Sequence, residues 1–141
     1  MPRDSSVFVD SNVLLYAASG RPVDRAKATR ARRLLEECLV VLSVQVLQEF
    51  YANAVNPHKL RLTPAEAAEW CSVWLEFPIV PLTRETFVHA LELAHRYHVS
   101  NWDAAILAAA AQANCTLVYS EDLNDGQEYD GIRVENPFRS C

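Results

Sequence analysis

Four acidic residues stand where an acid is costly: Asp10, Glu49, Asp103 and Asp122. Asp10 directly follows the apolar run Val7-Phe8-Val9, and Asp122 closely follows Leu117-Val118-Tyr119. Asp103 opens a segment that is otherwise almost wholly apolar, Ala104 to Ala111. If the apolar runs are adjacent parallel strands, Asp10 and Asp122 meet at one edge of one sheet. Clustered carboxylates repel each other and are costly to desolvate without a counter-charge. A bound divalent cation with oxygen ligands relieves both penalties. The chemistry this pattern suggests is metal-dependent phosphoryl transfer.

Each acid also has a plainer reading. Asp10 can cap a helix that starts after it, although Ser11 and Asn12 add further polar groups suited to a metal or a positioned water. Glu49 falls on the helix expected over 44–56. Val44, Val46, Leu47, Phe50, Tyr51, Ala54 and Val55 form a broad apolar arc there, and Gln45, Gln48, Glu49 and Asn53 share the other side. On pattern alone a solvated glutamate is favoured over a ligand. Asp103 sits at the third helical position after Ser100, a capping-box variant in which an acid also suits the helix dipole. Asp122 can belong to a turn or a helix cap, and its neighbour Glu121 is an alternative ligand. Strand alternation is expected to turn one of that pair inward and the other outward.

The elements that must position these residues can be read from apolar runs and caps. Residues 6–9, 39–43, 79–81, 116–119 and 132–134 read as short strands, the first two buried. Helices are expected over 12–18, 23–37, 44–56, from Pro64 to about Phe77, from Thr83 to about His98, and over 101–113. Pro57 stops the third, because proline disfavours helix in the residue before it. Thr63-Pro64-Ala65-Glu66 supplies an N-cap, a proline at the first helical position and a capping-box glutamate. Apolar strands alternating with helices indicate an α/β layered fold with a mainly parallel sheet. Sites in such sheets form beyond the carboxyl ends of the strands, which is where chain order puts Asp10 and Asp122.

The chain has 141 residues, which fits one domain with a sizeable core. Half of the residues are hydrophobic and 22% are charged, an ordinary globular composition. The opening Met-Pro-Arg-Asp-Ser-Ser has no apolar signal region, and no stretch is apolar for long enough to span a bilayer. A cytoplasmic protein without membrane contact is the expectation. Cys38, Cys71, Cys115 and Cys141 form no CxxC pair, so free thiols are expected rather than a zinc site. The net charge of −5 argues mildly against nucleic acid. However, the four acids supply −4 of it, which bound metal would offset. Arg25, Lys27, Arg30, Arg32 and Arg33 also concentrate positive charge locally, either as a solvated helix face, a phosphate-binding patch or a surface for a partner protein.

Several other classes are poor fits. Three glycines and no GxGxxG or Walker loop argue against a nucleotide cradle. Receiver domains and haloacid-dehalogenase-type phosphatases want a late lysine near the acids, but the only lysines are Lys27 and Lys59. No GxSxG elbow is present. His95 and His98 fall near a helix C-terminus, where the dipole explains them.

Taken together, these segments resemble the PIN-domain family, and in particular VapC-type toxin ribonucleases. Val7 to Tyr16 is similar to the family's opening strand, DxN and helix. Ser43 to Tyr51 resembles the segment with the second acid, and Ser100 to Ala110 the start of the third-acid helix. Leu117 to Leu123 matches the strand followed by [Thr/Ser]-x-Asp, with Ser120 where threonine is commoner. Gly131 to Phe138 is a typical ending. The resemblance implies one PIN domain over 1–141, with a three-layer α/β/α fold and a mainly parallel central sheet. It implies a metal-dependent endoribonuclease that leaves a 5′-phosphate and a 3′-hydroxyl. Asp10, Glu49, Asp103 and Asp122 would be catalytic and would hold one or two Mg²⁺ or Mn²⁺ ions. Asn12 and Ser120 would order the acids and their water. The resemblance selects Asp122 over Glu121 and resolves Glu49 as functional. It also implies a homodimer and a cognate antitoxin, of a kind that often inserts an arginine among the acids. Arg25, Arg32 and Arg33 are the candidates for RNA backbone contact. A PIN nuclease of RNA processing, or a PIN domain that binds RNA or protein without cutting, are the alternatives.

Overall fold

The computed structural model describes residues 5–141, and the first four residues of the opening segment lie outside them. Strand β1 (Val7–Val9) leads into α1 (Ser11–Ala18). A 3₁₀ turn, Pro22–Asp24, precedes α2 (Arg25–Glu37), β2 (Val40–Ser43) and α3 (Val44–Ala54). Then come α4 (Pro64–Trp74), β3 (Ile79–Val80), α5 (Arg84–Tyr97) and α6 (Asn101–Gln112). The chain closes with β4 (Leu117–Tyr119), β5 (Glu128–Tyr129) and β6 (Ile132–Glu135).

The sheet order is β3-β2-β1-β4-β6-β5. Every pair is parallel except β5 with β6. The chain steps from β1 to β2 and β3 on one side, then returns to place β4 on the other. Such a reversal leaves a crevice beyond the carboxyl ends of the two central strands, here β1 and β4. Helices cover both faces, as buried parallel strands require: α1 packs on α2 and α3, while α6 pairs with α5 and lies over β2, β4 and β6.

Local chemistry explains the helix starts. Ser43, Thr63, Thr83 and Ser100 each accept a bond from the backbone N–H three residues on. At Thr63 the box is complete, with Glu66 Oε1 accepting from the Thr63 N–H at 2.8 Å. Thr63→Ala should cost about 1 kcal/mol of stability. A thermal melt would show that loss, and a functional assay should not move, because α4 contributes nothing to the acidic edge.

The core is one continuous cluster. Phe8, Val9, Leu42, Val118 and Val134 come from the strands, and Phe50 packs edge-on to Trp74 at 5.6 Å between ring centres. Helix α6 buries Ala104 and Ile106 to Ala110, as its apolar sequence predicts. Its alanines let it lie close to both the sheet and α5.

Three expectations change. Tyr51, placed on the apolar arc of α3, is 39% exposed, because the arc is narrower than seven residues. The short β5 is an additional element. Its signal was Asp130-Gly131, whose positive φ values of 51° and 86° make the turn joining it to β6. Alternation does not continue through Glu121 and Asp122, because β4 ends at Tyr119. The four cysteines are free, as expected. Among the described residues no helix is long and apolar enough to cross a membrane.

Candidate active site

Asp10 is fixed by two elements. Its N–H donates to the Tyr119 carbonyl at 3.0 Å, tying the end of β1 to the end of β4. Asp10 is only 5% exposed, and its carboxylate accepts from the Ser11 N–H at 2.7 Å, so Asp10 does cap α1. Capping uses one oxygen. The other accepts from Ser120 Oγ at 2.8 Å and Asn12 Nδ2 at 3.4 Å. The capping and functional readings are therefore compatible.

Ser120 is fully buried and acts as a hub. Besides donating to Asp10, its hydroxyl accepts from the N–H groups of Asp122 at 3.1 Å and Leu123 at 3.4 Å. These bonds form the turn that presents Asp122. Asn12 spans the same gap. Its amide nitrogen donates to Asp122 Oδ2 at 3.2 Å, and its oxygen accepts from the Glu121 N–H at 3.2 Å.

Glu121 and Asp122 are separated by partner rather than by strand face. Glu121 pairs with Lys27 of α2 and accepts from the Tyr16 hydroxyl at 2.8 Å. Lys27 also stands 4.8 Å from the centre of the Tyr16 ring. With its charge matched, Glu121 is held against α2, and Asp122 is left at the acidic edge.

Gln45, Glu49 and Asn53 of the polar arc of α3 face this edge, while Gln48 is exposed. Glu49 accepts from Ser11 Oγ at 3.4 Å and from Gln45 Nε2 at 3.1 Å. Gln45 is buried and also donates to the Trp102 carbonyl at 3.2 Å, joining α3 to the start of α6. Its role was not read from the sequence; the available signal was a glutamine one turn before Glu49. Asp103 completes the group at the α6 N-terminus, where Ser100 caps its N–H at 3.1 Å.

One cavity of about 210 Å³ is lined by all four acids together with Ser11, Asn53, Trp102 and Ile106. No lysine or arginine lines it. Burial, reinforced by the charges of Glu49 and Asp122, pushes the Asp10 carboxyl up to about 6, against the pull of its bonds from Ser120 and Ser11. Asp103 is also raised, mainly by burial and further by Asp122. An all-oxygen, cation-free donor set with a reluctant buried carboxylate suits a hard divalent ion. The fit is chemical more than geometric. Among the described residues no three His, Cys, Asp or Glu side chains converge closely enough to hold one ion as they stand. The carboxylates are bonded instead to Ser11, Asn12, Gln45 and Ser120.

The basic run of α2 is dispersed. Lys27 goes to Glu121, Arg30 donates to the Pro137 carbonyl at 3.2 Å, and Arg32 donates to the Ala17 carbonyl at 2.8 Å. Arg25 and Arg33 are exposed. None of the five lines the acidic cavity.

Fold and site together define an α/β protein with an acid-lined crevice at the switch point of a parallel sheet. A family model for the PIN domain matches residues 7–126, and the chain belongs to that family. No curated protein sequence matches it significantly. Solved structures share the fold at low identity. A toxin–antitoxin complex from Klebsiella pneumoniae is 21% identical with a TM-score of 0.70, covering 94% of this chain and 98% of that one. VapC20 from Mycobacterium tuberculosis, a sarcin–ricin loop cleaving toxin, is 21% identical with a TM-score of 0.67, covering 82% and 89%. DNA-bound VapBC from Salmonella typhimurium is 16% identical with a TM-score of 0.66, covering 94% and 98%.

Proposed function

We propose that this PIN domain is a metal-dependent endoribonuclease and the toxin of a VapBC-type pair. The observation that carries the chemistry is the single cavity lined by Asp10, Glu49, Asp103 and Asp122 with no cationic side chain. A divalent cation there, Mg²⁺ or Mn²⁺, supplies Lewis acidity toward water and toward the phosphate oxygens. In the hydrolysis water adds to phosphorus, the P–O3′ bond breaks, and the 3′ oxygen leaves with a proton. The products are a 5′-phosphate and a 3′-hydroxyl.

The four carboxylates are the residues that would hold one or two ions. Asn12 and Ser120 would orient Asp10 and Asp122, which still have to converge with the other acids on an ion. Asp10 must lose its proton to serve as a ligand, so ion affinity is expected to fall as pH drops below about 6. Arg25, Arg32 and Arg33 remain candidates for RNA backbone contact. Of these, Arg33 gives the cleaner charge-reversal test, because Arg32 also bonds the end of α1.

The toxin role is supported by the toxin and toxin–antitoxin structures that share the fold. It brings with it a homodimer, a cognate antitoxin that covers the acids, and a cytoplasmic setting. A second reading, a PIN domain that binds without cutting, draws support from the lack of three converged ligands among the described residues.

Purified protein free of any partner, incubated with a mixed RNA pool in Mn²⁺, Mg²⁺ or EDTA, separates the two. Metal-dependent cutting that is lost in Asp10→Asn and Asp122→Asn is the expected result. A folded protein that neither cuts nor binds Mn²⁺ would leave only the non-catalytic reading.

A further inference from the structure

We infer that single-stranded RNA lies in a trough running from Trp102 across the four acids to Lys59, one base stacked on the indole and one phosphate on the ammonium. This rests on the ribonuclease reading and adds where the strand is held.

A second cavity, of about 230 Å³, adjoins the acidic one, and the two share Ser11, Asn53 and Asp122. Its walls include the apolar Leu15 and Leu60, the Tyr16 ring, and two cations, Arg21 and Lys59. Arg21 is committed to Asp24 at 2.8 Å. Lys59 is exposed and pairs with no carboxylate among the described residues.

The loop between α3 and α4 is ordered around that lysine. The Asn56 carbonyl accepts from the N–H groups of Lys59 at 3.0 Å and Arg61 at 3.1 Å, and Asn56 Oδ1 accepts from the His58 N–H at 2.8 Å. Arg61 takes a left-handed φ of 56° to close the turn, and the Leu62 N–H bonds back to the Ala54 carbonyl at 2.8 Å. Arg21 Nη1 donates to the Lys59 carbonyl at 3.4 Å. An acidic chain that must hold a polyanion against its own carboxylates needs a cation beside them, and Lys59 is placed there.

The opposite end is aromatic. Trp102 lines the acidic cavity yet is 67% exposed. By contrast, Trp74 is 2% exposed and stacks with Trp70 at 5.3 Å in the core. The Trp102 backbone is fixed through its carbonyl by Gln45. A largely exposed tryptophan with its backbone fixed, beside the proposed phosphodiester-cutting centre, suits an unstacked base, and such stacking tolerates any sequence.

The two contacts leave different signatures in a binding assay. The probe is a fluorescein-labelled single-stranded RNA of about 12 nucleotides, a length within the range such grooves hold. It is titrated in EDTA against protein carrying Asp10→Asn and Asp122→Asn, so that neither cutting nor metal intervenes. Adding Lys59→Gln should weaken binding several-fold at low salt and lower the salt slope by about 0.7. Adding Trp102→Ala should weaken binding by roughly five- to a hundred-fold and leave the slope unchanged. Quenching of indole fluorescence by the RNA should vanish in Trp102→Phe.

Arg84→Gln, an exposed cation at the start of α5, is the control. If Lys59→Gln and Trp102→Ala behave like that control, the trough is wrong and the ribonuclease reading stands. If the background protein binds no RNA and the wild type cuts none, both fall. Wild-type cutting with a KM unmoved by either substitution also overturns the trough. Competition by an acidic peptide as strong as that by RNA would reassign Lys59 to a protein partner and overturn it too.

Discussion

Asp10→Asn should abolish RNA cleavage and at the same time stabilise the ion-free protein at neutral pH. The first half follows from the buried position of Asp10 among the other acids, and the expected loss is on the order of a thousand-fold or more. The second half follows from linkage. The Asp10 carboxyl is raised from 3.8 to about 6, with burial as the leading cause. The folded state therefore holds this proton more tightly than the unfolded chain does. Below pH 3.8 the group is protonated in both states and costs nothing. The penalty grows as pH rises toward 6 and is complete above it. At neutral pH it has an upper bound on the order of 3 kcal/mol.

Asparagine removes the charge and still caps α1 well. It also forfeits the bonds that Asp10 Oδ2 accepts from Asn12 and Ser120. A net gain of about 1–2 kcal/mol is the expectation, seen as a higher melting temperature in EDTA that disappears in acid. Saturating Mn²⁺ should reverse the order, because only the wild type gains from the ion. A purely capping Asp10 would instead leave cleavage intact.

Ser120→Ala should be the most damaging change that touches no charge. The serine hydroxyl is fully buried and serves Asp10, Asp122, Leu123 and Asn12 at once. Alanine leaves the Asp122 N–H and an Asp10 oxygen without that partner, at about 2–3 kcal/mol. It also removes a bond that holds the Asp10 carboxyl down, so the pH at which ion binding half-develops should move upward from about 6. Cleavage should fall about 10- to 100-fold, the usual effect of losing a residue that orients metal ligands. Ser120→Thr keeps the hydroxyl and should restore both the pH midpoint and the cleavage. A merely structural serine would give lower stability with an unmoved pH midpoint.

The elements and their order could be read from the sequence because they rest on local rules. Apolar runs bounded by caps gave the helices and all strands but the two-residue β5. The caps at Ser43, Thr63, Thr83 and Ser100 are short-range bonds, legible in three or four residues. Chain order in a parallel sheet then puts Asp10 and Asp122 at one edge, since every such strand ends on the same side.

What the helical wheel of α3 could not supply was what covers each face. Glu49 lies on the polar arc, and only the approach of Ser11 and Trp102 from other elements makes part of that arc a wall of the acidic cavity. Strand alternation could not divide Glu121 from Asp122 either, because Lys27, 94 residues away, captures the first and releases the second. Ser120 meets Asp10 across 110 residues of chain. Lys59, which offered nothing as a motif, lines the cavity next to the acids on a loop closed by backbone bonds. These are tertiary facts for one physical reason: local patterns fix which side chains leave a helix or strand together, but the partners they meet are set by how distant elements pack.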